Sequence, residues 1–129
     1  MTALVATAAG VFAVDLESGE VEPGDHFEAA ARPSLNLPRV LAAAEAGSTV
    51  VAVVDARPPM LVSHDAGTTW RESGRGLPPG TAVAVAEYDP DLLLYAARNR
   101  LYVSRDGGVF WTALEVELPE IAGVALTEY

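Results

Sequence analysis

The sequence predicts an all-β chain built from about three consecutive sheets, each of four short antiparallel strands. Three observations carry this. One motif recurs at a fixed step along the chain. Apolar runs of strand length are separated by Gly, Pro, Asp and Ser. Half of the 129 residues are hydrophobic, too many for a disordered chain and enough for strands buried on both faces.

The motif is S-x-D-x-G-x-x-W. It stands in Met60–Trp70 around Ser63, Asp65, Gly67 and Trp70, and again in Leu101–Trp111 around Ser104, Asp106, Gly108 and Trp111. Ser63 and Ser104 are 41 residues apart, a step that suits one four-stranded blade of a β-propeller. A third, decayed copy lies in Phe12–Glu20, with Asp15 at the Ser position, Glu17 at the Asp position and Gly19 kept. Asp15 to Ser63 is 48 residues, so one connection between these copies is longer.

Physically the motif is a capped hairpin. The glycine tolerates a positive φ. The Ser and Asp side chains bond backbone N–H groups inside the turn. The tryptophan packs the next strand over the hairpin. Asp65 and Asp106 therefore read as turn formers and not as catalytic acids.

These two full copies resemble the Asp-box (BNR) repeat of sialidases, sortilin-type receptors, some glycoside hydrolases and a photosystem assembly factor. The resemblance implies a propeller in which the motif joins strands C and D, counted outward from the axis. It implies no activity, since enzymes and non-enzymes share the repeat.

Working outward from the motif assigns the strands. In the last copy they are Thr81–Glu87, Leu92–Ala97, Arg100–Arg105 and Val109–Leu114, with Tyr88–Asp91 as the A–B turn. In the middle copy they are Pro38–Glu45, Ser48–Val54, Met60–His64 and Thr69–Glu72. The first copy begins at strand B with Ala3–Thr7, followed by Val11–Val14 as C, and has no strand A before it. Ile121–Glu128 matches a strand A with no blade after it. The whole chain, 1–129, is one partial propeller domain. Blade 1 is 2–31 plus a strand A, 120–128, from another copy; blade 2 is 38–73; blade 3 is 81–114.

Three blades do not readily close a ring. The expected partner is a second copy, giving a six-bladed homodimer by strand exchange; a nine-bladed trimer and an open monomer stay as alternatives.

Net charge is −10 with pI about 4.4, which argues against a nucleic-acid or anionic-membrane partner. There is no cysteine, and His26 and His64 are too separated for a zinc site. No cofactor and no metal are expected. No basic leader precedes the first apolar run, so a cytoplasmic location is expected.

The eight cations are all arginine, an expected result of high-GC coding bias. Six lie on or near the face that carries the B–C and D–A loops. Arg57 is in Asp55–Pro59, Arg98 and Arg100 flank Asn99, and Arg75 is in Ser73–Gly80. Arg32 and Arg39 are in or beside the long loop Glu22–Leu37, which also holds Asp25, His26 and Phe27. Guanidinium groups suit a carboxylate or phosphate ligand. The leading reading of these arginines is a solvated rim, with some pairing to Asp55, Glu45 or Glu87.

No catalytic residue is assigned, and the leading expectation is a non-catalytic binding or assembly platform. A sialidase-like glycosidase would need, by family resemblance, three clamping arginines, a Tyr–Glu nucleophile and an acid/base Asp. Ala56–Pro59 only faintly echoes the family's arginine motif, and Tyr88, Tyr95, Tyr102 and Tyr129 pair with no obvious Glu. An oligomeric sugar-binding lectin is the other alternative, although Trp70 and Trp111 are taken by the motif.

Overall fold

The structure, a computed structural model, describes residues 1–28 and 32–127. These form twelve strands and, among the described residues, no helix. In chain order the strands are β1 Thr2–Thr7, β2 Gly10–Asp15, β3 Val21–Pro23, β4 Val40–Ala46, β5 Thr49–Val54 and β6 Met60–Ser63. They continue as β7 Arg71–Ser73, β8 Ala82–Ala86, β9 Asp89–Ala97, β10 Arg100–Ser104, β11 Thr112–Ala113 and β12 Ile121–Thr127. They make three antiparallel four-stranded sheets, ordered β12-β1-β2-β3, β4-β5-β6-β7 and β8-β9-β10-β11. This is the architecture of propeller blades, here blades 1, 2 and 3.

Each sheet follows from its alternation. In β1, Ala3 and Val5 are buried while Leu4 and Ala6 are half-buried, because successive side chains leave opposite faces. Strands β5 and β9 are apolar on both faces. Every residue of β5 is buried, as is Leu92–Ala97 of β9. Two cores result. One joins blades 1 and 3 through Val5, Val14, Leu94, Leu101, Ile121 and Val124. The other joins blades 3 and 2 through Leu93, Tyr95, Val51, Val53, Met60 and Val62.

The blades thus stand in the spatial order 1, 3, 2. Inner strand β12 packs beside β8, and β8 beside β4. Among the described residues no comparable packing joins β12 to β4. The connection from Gly24 to Arg39 links the two ends of this arc.

The sequence reading assigned Ile121–Glu128 to a neighbouring copy. In the single chain, Ile121–Thr127 pairs with the chain's own Thr2–Thr7, from Thr2↔Thr127 to Thr7↔Ile121. The pairing edge is the predicted one, and in the single chain the strand that fills it is the chain's own. The stacking of β12 on β8 carries the C-terminal strand to the arc end where β1 lies. Glu128, and the blade-1 limit at residues 29–31, lie outside the described residues.

Strand limits also move. The A–B turn of blade 3 is Glu87–Tyr88, not Tyr88–Asp91, because β9 starts at Asp89 and meets β8 through a register shift at Val85/Ala86. Pro90 is tolerated there because β10 reaches only as far as Leu93 along β9, so no ladder bond needs its missing N–H. The D strands are shorter than predicted, since residues 69–70 and 109–111 are spent in the turns. Pro23, assigned to the long loop, instead pairs with Phe12 in β3.

Candidate functional site

The S-x-D-x-G-x-x-W turns come first, because they set the lower face. Ser63 Oγ–H donates to Asp65 Oδ1 at 2.7 Å, and Gly67 N–H donates to Ser63 Oγ at 2.8 Å. Thr69 closes the turn twice on Asp65, through its backbone N–H and its hydroxyl. These bonds stabilise the carboxylate, and they hold Asp65 down at a pKa of about 2. Ser104 and Asp106 repeat the pattern, with Gly108 N–H on Ser104 Oγ at 2.9 Å and Phe110 N–H on Asp106 Oδ1 at 3.0 Å. Asp106 is likewise lowered, first by the Phe110 N–H bond.

The decayed copy turns differently. Asp15 Oδ1 accepts the N–H groups of Glu17 at 2.7 Å and Ser18 at 3.0 Å, which lowers the Asp15 pKa. The side chain of Glu17, aligned with the motif aspartate, does not cap the turn. It is exposed and pairs with Arg105 of blade 3 at 3.3 Å. The carboxylate of Asp15, two residues earlier, takes the capping role.

Trp111 does more than cover its hairpin. Its Nε1–H donates to Ser73 Oγ of blade 2 at 3.0 Å, and Ser73 in turn donates to Gly108 O at 2.6 Å. Arg71 donates to Gly107 O at 3.1 Å. Strand β7 of blade 2 therefore clamps the blade-3 turn. The sequence reading missed Arg71 and Ser73, the latter because it placed Ser73 in the D–A loop and not in strand D.

The opposite face carries the B–C and D–A loops, as expected. Asn99 O and Arg98 O accept the N–H groups of Leu118 and Ile121, so these two loop types meet. The six predicted arginine-face residues do not converge as one group. Arg100 is bound to Glu117 at 3.0 Å. Arg98 and Arg39 hold left-handed backbone with φ 57° each, and their carbonyls accept the Ile121 and Asp55 N–H groups. Asn99 is half-buried beneath Leu118 N–H.

Arg57 and Arg75 are brought together. They line a cleft of about 510 Å³ with Pro58, Pro59, Gly76, Leu77, Pro78 and Pro79. Among the described residues no carboxylate lines it. Among the described residues neither guanidinium is in an ion pair or a side-chain hydrogen bond. The walls are fastened from below. Val54 N–H donates to Pro59 O at 2.8 Å, and Leu77 N–H to Gly74 O at 2.9 Å. Tyr95 donates to Pro78 O at 2.6 Å. Burial pushes this phenol up to about 12, and its ring packs against Tyr102 and Trp111. Tyr95 is thus committed to structure.

A second concavity of about 750 Å³ runs along the inner strands β4, β8 and β12. Its walls are small, with Ala42, Ala44, Ala82, Ala84, Ala122 and Ala125 among them, and Glu45, Glu87 and Arg32 bring the charge. No group of three or more His, Cys, Asp or Glu side chains placed to hold a metal occurs among the described residues.

No family model matches this chain, and no curated protein matches it. Among solved structures, the GH74 enzyme of Niastella koreensis is similar at a TM-score of 0.49 and 20% identity. The likeness covers 91% of this chain and 18% of that one, so this chain spans less than a fifth of that enzyme's length.

Proposed function

We propose that this chain is an Asp-box propeller module that works as a non-catalytic binding or assembly platform, and that two copies complete a six-bladed ring by exchange of strands. One observation carries the reading. The outer face of blade 1 is apolar and has no blade against it. Leu4, Ala6, Val11 and Ala13 sit there as the cross-strand pairs Leu4↔Ala13 and Ala6↔Val11, and all four are only half-buried. In a propeller such a face is covered by the next blade.

Exchange supplies that blade without losing a strand pair. If the β1–β3 hairpin swings about the Gly24–Arg39 connection, it reaches the outer side of its own blade 2. Its former place beside β12 is then taken by the hairpin of the second copy. Every ladder of the single chain is kept, and two new blade-to-blade seams are added. The gain is paid in association entropy, so the dimer depends on concentration.

The chain lacks cysteine, which allows a direct test. Leu4 and Ala125 face each other across the β1–β12 ladder. In L4C/A125C under oxidation, exchange gives a covalent dimer on a denaturing gel and twice the 13.5 kDa protomer mass by light scattering. A crosslinked single chain that is dimeric in solution removes exchange and keeps the ring. A monomer at high protein concentration removes both.

A further inference from the structure

We propose that the Arg57–Arg75 cleft is a binding site for a small oxyanion, carboxylate or phosphate, carried on an apolar body. The two guanidinium groups reach the cleft from separate loops, the B–C loop of blade 2 and the loop that leaves it toward blade 3. In a chain of net charge −10, a concavity whose lining has two arginines and, among the described residues, no acid is a local reversal of sign. Among the described residues neither guanidinium is held by a carboxylate, in contrast to Arg100 and Arg105. Their donors are therefore available to a ligand, and a guanidinium meets either oxyanion through two parallel hydrogen bonds.

The rest of the lining argues for an apolar body. Pro58, Pro59, Pro78, Pro79 and Leu77 offer ring and aliphatic surface with no side-chain donor or acceptor. Four prolines and the turn bond from Leu77 to Gly74 also stiffen both walls before any ligand arrives, which lowers the ordering cost of binding. Gly76, at φ 87° in that turn, keeps its N–H without an acceptor among the described residues. It is a third donor on the same lining.

The site is independent of ring closure, and the test keeps the two apart. The ¹⁵N-labelled protein is titrated with inorganic phosphate, phenyl phosphate and benzoate while amide shifts are followed, and light scattering records the assembly state of each variant. Saturable shifts are expected at Arg57, Arg75, Gly76 and Leu77. R57Q/R75Q should weaken binding about tenfold or more, since each charged hydrogen bond lost is worth that much. R98Q/R100Q, in the other B–C loop, should leave it unchanged. Phenyl phosphate should bind more tightly than inorganic phosphate. The phosphate and carboxylate arms then identify the oxyanion.

Absence of saturable shifts with all three probes overturns the site. So does full affinity in R57Q/R75Q, or an equal loss in R98Q/R100Q. Equal affinity for phosphate and phenyl phosphate overturns the apolar body.

Discussion

The turns Ser63–Trp70 and Ser104–Trp111 share one motif and one internal hydrogen-bond pattern, yet they live in different surroundings. The first is closed by its own residues: Thr69 gives both its N–H and its hydroxyl to Asp65. The second has Phe110 at that position, three-quarters exposed, and offers only a backbone N–H. What it lacks locally it receives from blade 2, where Ser73 and Arg71 bind the carbonyls of Gly108 and Gly107. Both glycines are buried in consequence. A motif of this kind builds a hairpin by itself, but the neighbouring blade decides whether that hairpin is a surface turn or part of a seam.

Substitution at the matched glycines should break the comparison most sharply. Gly108 has φ 95°, and a Cβ there would meet Ser73 Oγ at 2.9 Å and Val62 Cγ2 at 3.2 Å. Gly108→Ala combines left-handed strain with overpacking, for an expected loss of about 2–4 kcal/mol in denaturant unfolding. Gly67, at φ 87°, has only Trp70 at 3.4 Å, so Gly67→Ala should lose about 1 kcal/mol. Equal losses would show that the seam around Gly108 is not tightly packed.

A smaller effect is expected at Ser73. Ser73→Ala removes the donor to Gly108 O and the acceptor of Trp111 Nε1–H, both inside the seam. A loss of about 1–3 kcal/mol should appear in the same unfolding assay. The tryptophan fluorescence should shift with it.

Acid should separate the turns by pH. Asp65 sits at about 2 in the folded chain against an ordinary 3.8, and Asp106 is lowered in the same direction. A depressed carboxylate adds stability that is fully present above 3.8 and is lost as pH falls through the folded value. Thermal melts between pH 5 and 2 should therefore show a falling midpoint, and Asp65→Asn should flatten the slope.

The smallest change sharpens the pair directly. Thr69→Val should raise the Asp65 pKa by removing one hydroxyl, and Phe110→Thr should lower that of Asp106 by adding one. Side-chain carboxyl NMR titration reads both. No change in either variant would mean that the backbone N–H bonds and the Ser63 and Ser104 hydroxyls set these values without a contribution from position 69 or 110.

Much of the fold was legible from short-range chemistry. The motif at its 41-residue step located β6, β10 and their turns, and counting strands outward from it located β1, β4, β5 and β8. The decayed first copy was less legible, because its turn is capped by Asp15 and not by the aligned Glu17. The site was only partly legible. Six residues were singled out on one face, and two of them, Arg57 and Arg75, share a cleft. Arg100 went to Glu117, a pairing between blade 3 and the loop that follows it. The prolines that complete the cleft looked in the sequence like loop punctuation alone.

The sequence by itself determined the hairpins, their turn chemistry and which side chains share a face. These depend on hydrogen bonds across a few residues and on the two-residue period of a strand. Only the tertiary structure decided the blade order 1, 3, 2, the seam role of Ser73 and the meeting of Arg57 with Arg75. Each of these depends on which apolar sheet face finds which, and the faces of all three blades are made of the same Ala, Val and Leu. Patterns that alike can stack in more than one order, and it is the lateral packing of whole blades that selects among them.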